Sequence, residues 1–114
     1  MAEKHELMKN STDSLLLCLI AQKALYGYQL IKELENRSDG YFKFEEGTLY
    51  PALHRLEKAG LALGKWQKLD NGRQRRYYHI TDKGLKVLAN ARNQWQDFST
   101  AMNLIIQPET ARVR

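Results

Sequence analysis

The segment from Glu46 to Thr81 constrains the fold of this chain more than any other part of it. Its first part, EGTLYPALHRLEKAG, spaces four apolar residues between Leu49 and Leu56 at i, i+3, i+4 and i+7, which is the pattern of one buried stripe on an α-helix. Two strand-like stretches follow at about 61–68 and 74–80, and the sequence DNG between them favours a hairpin turn. The segment therefore predicts a helix that runs into a two-stranded ribbon.

Two residues set the limits of this predicted helix. Pro51 lacks a backbone N–H and is tolerated in the first turn, so we expect the helix to begin near Glu45–Gly47. Gly60 suits the position just past the last turn, where glycine commonly ends a helix. The helix is thus expected over about 46–59.

Two further helices are expected earlier in the chain, at about 12–24 and 27–37. The first follows Ser-Thr-Asp at 11–13, three capable N-cap residues. It contains LLLCLIA, which is apolar all round and is therefore expected to be buried on more than one side. Because the chain has only 114 residues, we expect another subunit to supply the second covering layer, in contact with Leu16 and Leu19.

A long final helix is expected at about 82–106, capped by Thr81 and stopped by Pro108. Its apolar residues recur at alternating spacings of three and four, which is the pattern of a coiled-coil seam. The seam comprises Leu88, Ala91, Trp95, Phe98, Met102 and Ile105. Such a seam packs either against its own domain or against a partner helix, and its place on a terminal helix favours a partner.

The net charge of +5 is concentrated in one part of the chain. Residues 41–80 hold eight Lys/Arg against four Asp/Glu, whereas residues 1–40 hold five against six. A basic face is the electrostatic footprint of a nucleic-acid-binding protein, although many basic surfaces are only solvated. The longest apolar run, Leu15–Ala21, is too short to span a membrane and begins too late for a signal peptide, so a soluble cytoplasmic protein is expected.

Two polar surfaces carry the hypothesis of nucleic-acid binding. The exposed side of the third helix is spaced to meet base edges and phosphates. It comprises Thr48, Tyr50, His54, Arg55 and Lys58. The ribbon adds five cations suited to phosphate or minor-groove contact. These are Lys65, Lys68, Arg73, Arg75 and Arg76. The alternatives are an ordinary solvated helix face and a ribbon edge kept soluble by charge.

The expected fold class is therefore mostly α with a two-stranded β-wing. A winged helix-turn-helix domain occupies residues 1–80, of which 1–10 are expected to be flexible. A dimerisation helix follows at 81–107, and a disordered tail at 108–114.

The sequence gives little support for a metal site or an enzyme. His5, His54 and His79 lack the spacing of metal ligands, and no nucleotide-binding or hydrolase motif is present. We therefore expect no metal, no cofactor and no enzymatic activity. Cys18 is the only cysteine, and a buried structural thiol is favoured there over a redox sensor because no second cysteine is available.

Four strings resemble the PadR family of bacterial transcriptional regulators, namely YGYQL (26–30), GTLYPALHRLEKAGL (47–61), GRQRRYYHIT (72–81) and TDKG (81–84). The resemblance covers about residues 12–105. It implies a winged helix-turn-helix domain and a single C-terminal helix that dimerises, in a repressor of promoters, often for genes that handle phenolic compounds or drugs. The DNA contacts that it implies are made by Tyr28, Thr48, Tyr50, His54 and Arg55, with Arg73 and Arg75 on the wing.

Trp95 is the candidate for a ligand site. It lies in the middle of the seam, so a twofold axis can bring two indoles together and form a slot for a planar aromatic small molecule. Some short members of the family are similar here, with a tryptophan that lines a pore at the dimer interface. Phe98, Leu15 and Cys18 would complete such a site. The alternative is that Trp95 only packs the interface, while Trp66 is expected to pack within the ribbon.

Three functions follow from the sequence, in descending order of support. The first is a homodimeric DNA-binding repressor on a pseudo-palindromic operator, with the third helix in a major groove and the wing at 65–76 beside it. The second is a small-molecule or partner-protein binding module on the same fold, which would have no reason to keep a basic wing. RNA binding ranks third, because the chain lacks the exposed sheet aromatics on which bases stack.

Overall fold

The computed structural model describes residues 2–107, with side chains from residue 11 onwards. Its helices and strands, in chain order, are α1 (Ala2–Gln22), β1 (Leu25–Tyr26), α2 (Gly27–Arg37), α3 (Glu46–Lys58), β2 (Ala62–Lys68), β3 (Gln74–Ile80) and α4 (Asp82–Ile106). Four helices with a small antiparallel sheet confirm the predicted winged helix-turn-helix with a long C-terminal helix. The predicted tail at 108–114 lies outside the described residues.

Helix α1 begins at Ala2, so the predicted start near residue 12 is wrong. Most of the segment expected to be flexible, 1–10, continues this helix. Its residues, such as the Glu, Lys, Leu and Met of EKHELMK, are good helix formers, and this preference outweighs the capping tendency of the Ser-Thr-Asp at 11–13. A potential N-cap is therefore not sufficient to start a helix.

The sheet has three strands in the order β1-β3-β2, one more than was predicted. The additional strand β1 pairs antiparallel with β3, with Leu25 opposite Tyr78 and Tyr26 opposite Tyr77. Two residues are too few to show an alternating pattern, so the sequence could not reveal β1. Strands β2 and β3 form the wing. At its tip the N–H of Leu69 donates to the carbonyl of Arg73 at 2.7 Å, and Gly72 takes the left-handed conformation with φ of 87°.

Helix α3 ends as predicted, although Pro51 lies in its second turn rather than its first. Gly60 has φ of 79°, and its N–H donates to the carbonyl of Glu57 at 3.0 Å. The next N–H, that of Leu61, donates to the carbonyl of Leu56 at 2.9 Å, which completes a Schellman motif. This motif directs the chain from the helix straight into β2.

The core lies around α1, which packs against α2, α3, β3 and α4. The side chains of Leu16, Leu19 and Leu88 are 0%, 6% and 2% exposed within the single chain. The expectation that a second subunit covers Leu16 and Leu19 is therefore wrong, and Leu88 belongs to the core rather than to a free seam. Elements of the same chain surround α1 on several sides, which explains why its sequence is apolar all round.

Helix α4 leaves this core soon after it begins. Only Gly84 and Leu88 are buried along its 25 residues. Among the helices of the described chain, none is long and apolar enough to cross a lipid bilayer.

Candidate nucleic-acid interface

Helix α3 buries one side and exposes the other. Its buried residues are Leu49, Ala52, Leu53 and Leu56, as the sequence predicted. Among the residues predicted to contact DNA, Thr48, His54 and Lys58 are exposed. These three side chains are available to a duplex without any rearrangement of the protein.

Tyr50 packs part of its ring against the start of α2 and leaves the rest exposed to solvent. It is 44% exposed, and its ring lies so close to the Cα of Gly27 that a Cβ there would come within 2.7 Å of the Tyr50 Cζ. Burial raises the pKa of the Tyr50 hydroxyl, and the nearby carboxylate of Glu46 raises it further. Tyr50 therefore stays protonated, and its hydroxyl is able to donate a hydrogen bond.

Tyr28 lies on the first turn of α2, next in the chain to Gly27. Its ring is 56% exposed, and the Nζ of Lys32 lies 5.4 Å from the ring centroid. The tyrosine and the lysine form an exposed pair at i, i+4, which adds a cation to the predicted contact surface. Lys32 was not among the predicted contact residues, although its i, i+4 spacing from Tyr28 is visible in the sequence.

Arg55 is directed towards α1. Its Nη2 donates to Oδ1 of Asp13 at 2.9 Å, and its Nε is buried with no hydrogen-bond partner among the described residues. The role predicted for Arg55 as a donor to guanine would require the guanidinium to leave Asp13. In this structure the pair instead ties α3 to α1, and the predicted base contact stays a prediction.

The three wing arginines have different surroundings. Arg73 is exposed at the tip, where its backbone N–H donates to the Asn71 side chain at 3.0 Å. The guanidinium carbon of Arg75 lies 4.0 Å from the ring centroid of Tyr26. Arg76 forms an ion pair with Glu57 on α3, with 2.6 Å between Nη2 and Oε2. The hydrogen bond to Glu57 raises the pKa of the Arg76 guanidinium.

The freely exposed cations of the wing are therefore Lys65, Lys68 and Arg73 rather than three adjacent arginines. Alternation along β3 explains the difference, because neighbouring residues of a strand point to opposite faces and meet different neighbours. Trp66 is 63% exposed, with the Arg76 guanidinium carbon 5.4 Å from its ring centroid. The ring lies over Arg76 on the neighbouring strand, as expected of packing within the ribbon, while most of the side chain stays open to solvent.

Apolar side chains of α4 make up the second candidate surface. Trp95, Phe98, Met102 and Ile105 are 60%, 53%, 43% and 81% exposed. The ring centroids of Trp95 and Phe98 lie 5.8 Å apart. Ala91, the remaining seam residue, is half-buried.

The predicted ligand-site residues do not meet within one chain. Phe98 borders an open apolar depression of about 240 Å³ with Met102 and Ile105. Leu15 and Cys18 border a separate depression of about 230 Å³ between α1 and α2. Within the described chain, no cluster of three His, Cys, Asp or Glu residues could hold a metal ion.

Comparisons with known proteins agree with this architecture. A model of the PadR-like transcriptional regulator family matches residues 16–90. A transcriptional regulator of Mycobacterium tuberculosis is 34% identical over 79 residues, which cover 69% of this chain and 70% of that protein. An uncharacterised protein of Lysinibacillus sphaericus is 30% identical over 104 residues, covering 91% and 95% of the two chains.

Solved structures show the same similarity. The crystal structure of a PadR-like transcriptional regulator from Bacillus cereus superposes with a TM-score of 0.80 at 35% identity, covering 91% of this chain and 99% of that one. The family model alone spans well over half of the sequence. This chain therefore belongs to the PadR-like family of transcriptional regulators, which bind DNA and are not enzymes.

Proposed function

We propose that the protein is a homodimeric repressor that binds a pseudo-palindromic operator. The observation that carries this proposal is the combination of α3, with Thr48, His54 and Lys58 exposed, and a wing beside it that exposes Lys65, Lys68 and Arg73. A helix of this kind fits the major groove, and the cations of a neighbouring hairpin reach phosphates or the minor groove.

A second subunit is supported by the apolar side of α4. Contiguous exposed apolar patches on soluble proteins commonly mark interaction sites, and the α4 residues recur at the spacing of a two-helix seam. A twofold dimer would present two copies of α3 to the same side of a duplex. The operator would then hold two half-sites about 34–36 Å apart, or a multiple of that distance.

The wing assignment is tested with Lys68→Ala/Arg73→Ala and with a control, Lys86→Ala/Arg92→Ala, that removes the same charge from α4. Each phosphate contact contributes about 0.9 to the slope of log affinity against log salt concentration. We therefore expect the wing variant to lower that slope by about 1.8 on a random-sequence duplex, with little change in the control. Arg75 is left intact because its guanidinium lies on Tyr26.

Equal slopes for the two variants would show that the wing does not contact phosphates. If the unaltered protein binds no duplex even at low salt, the alternative of a small-molecule or partner-binding module replaces the repressor.

We further propose that a planar aromatic molecule regulates DNA binding from the α4 seam. Trp95 and Phe98 support this, since two exposed rings on a twofold seam offer faces on which such a molecule can stack. The ligand would regulate by binding one arrangement of the two wings better than another. Planar aromatic compounds should quench tryptophan fluorescence in Trp66→Phe and not in Trp95→Phe. Equal quenching in both variants would place the ligand elsewhere.

A further inference from the structure

One carboxylate oxygen connects the proposed DNA-reading helix to both strands of the wing. Oε2 of Glu57, near the end of α3, accepts a hydrogen bond from Nη2 of Arg76 on β3 at 2.6 Å. The same oxygen accepts the backbone N–H of Gly64 on β2 at 3.0 Å. Both wing strands are therefore joined to the helix at a single atom.

The surroundings of Arg76 hold its guanidinium in one place. Gly64 has no side chain, and the guanidinium fills that space, so that a Cβ at Gly64 would lie within 2.6 Å of the Arg76 Cζ. The rings of Trp66 and Tyr78 lie beside it, with centroids 5.4 Å and 5.9 Å from Cζ. The Arg76 and Glu57 side chains are 32% and 22% exposed, which keeps the pair partly shielded from solvent and salt.

A second contact supports the wing from its other face. Arg75 points opposite to Arg76, as neighbouring residues in a strand do, and stacks on Tyr26 of β1 at 4.0 Å. The two arginines therefore link β3 to Glu57 of α3 on one face of the sheet and to the Tyr26 ring of the neighbouring strand β1 on the other. Beyond them the wing continues through the pair of Lys68 and Gln74 to the tip at Arg73.

We propose that Glu57 and Arg76 are positioning residues for DNA binding, which set the angle of the wing so that Lys68 and Arg73 reach phosphates while α3 lies in the groove. This inference rests on the proposed function. It assigns Arg76 to holding the wing and leaves the phosphate contacts to the exposed cations around it. Without Glu57 the wing would sample several angles, and ordering it on DNA would cost binding free energy.

The sign of one substitution separates this role from simple electrostatics. Glu57 is an anion, so removing it from a DNA-binding surface should tighten binding to a polyanion if charge alone matters. A positioning role predicts the reverse, namely weaker binding and a smaller salt slope, because the wing cations lose their placement.

The experiment measures affinity for a random-sequence duplex across salt concentrations in Glu57→Ala, Glu57→Gln and the control Glu45→Gln. Glu45 is exposed, and its side chain makes no capping hydrogen bond. We expect Glu57→Ala to bind about tenfold more weakly at low salt, with a slope lower by about 0.9–1.8, the share of one or two phosphate contacts. Glu57→Gln, which keeps an acceptor oxygen, should lie between this variant and the unaltered protein. The control should bind as tightly as the unaltered protein or more tightly.

A double-mutant cycle supplies the second readout. Adding Lys68→Ala/Arg73→Ala to Glu57→Ala should cost clearly less affinity than in the unaltered protein, because the wing contacts are already weakened. Tighter binding by Glu57→Ala, or full additivity in the cycle, would overturn the proposal. If thermal unfolding shows that Glu57→Ala is not folded, the same signs apply to the near-isosteric Glu57→Gln. Absence of DNA binding by the unaltered protein would instead overturn the proposed function.

Discussion

Gly27 is the residue that allows α3 to approach α2 closely. The Tyr50 hydroxyl and ring occupy the space that a side chain at residue 27 would need. Because Tyr28 follows Gly27 directly, this contact brings the two tyrosines with predicted DNA contacts to one junction between the helices. Gly27 does not have a positive φ, so its backbone conformation does not require glycine. What matters at this position is the absence of a side chain, which leaves space for Tyr50.

Replacing Gly27 with alanine should destabilise the fold by about 1–3 kcal/mol, which is typical of overpacking. Tyr50→Phe in the same chain should restore part of the loss, because the hydroxyl makes the closest contact. Gly47→Ala is the matched control, since a Cβ there meets nothing within 4 Å. It should stabilise the helix by about 0.4–1 kcal/mol. Urea unfolding measures both effects, and equal losses from the two alanines would refute the steric explanation.

At the scale of elements, the end of α3 and the start of α4 satisfy each other's backbone groups. The Thr81 hydroxyl donates to the carbonyl of Gly60 at 2.7 Å and accepts the N–H of Gly84 at 3.0 Å. Lys83 donates to the carbonyl of Ala59 at 3.0 Å. These bonds place the base of the wing and the start of the long helix at one joint. The orientation of α3 is thereby linked to that of α4. The second subunit is proposed to pack against α4.

Thr81→Ala should lower the free energy of unfolding by about 1–2 kcal/mol, the usual loss of a helix N-cap. Thr81→Ser keeps the hydroxyl and should retain most of the stability. Thermal unfolding of the three proteins tests this prediction. A serine variant as unstable as the alanine variant would show that the methyl group, and not the hydrogen bonds, is what matters.

At the scale of the whole molecule, the protein is elongated, and α4 is the longest helix of the described chain. The molecule is 62 Å long and about 30 Å in its other dimensions, with a radius of gyration of 16.9 Å. A compact chain of this length would have a radius of gyration of about 13 Å. The extended helix carries an apolar side that the described chain leaves uncovered, from Trp95 to Ile105. A second copy would cover this side.

Phe98→Glu/Met102→Glu should convert the proposed dimer into a monomer, because four charges would meet at the seam without partners. The control, Asn93→Glu/Thr100→Glu, places the same charges on exposed positions of α4 away from the seam. Sedimentation velocity reports the oligomeric state directly. Affinity for the duplex should fall in the seam variant, because the dimer is lost. A seam variant that stays dimeric would show that the interface lies elsewhere.

The elements of this protein were largely predictable from the sequence because their signals are local. The apolar stripe of α3, the glycine at residue 60, the hairpin turn and the cap at Thr81 each act within a few residues. Apart from the start of α1, which local helix propensity decided, the failures depend on distant parts of the chain. Strand β1 exists only because β3 lies beside it, and Leu16 is covered by helices far from it in sequence.

The sequence by itself determined the winged helix-turn-helix, the polar face of α3, the basic wing and the seam of α4, since periodicity and charge specify which faces exist. Only the tertiary structure decided what each charged side chain does. Arg55 meets Asp13, Arg75 meets Tyr26 and Arg76 meets Glu57, while Arg73 stays exposed. The physical reason is that a cation takes its role from the partner that packing brings within a few ångströms, and sequence spacing does not specify that partner.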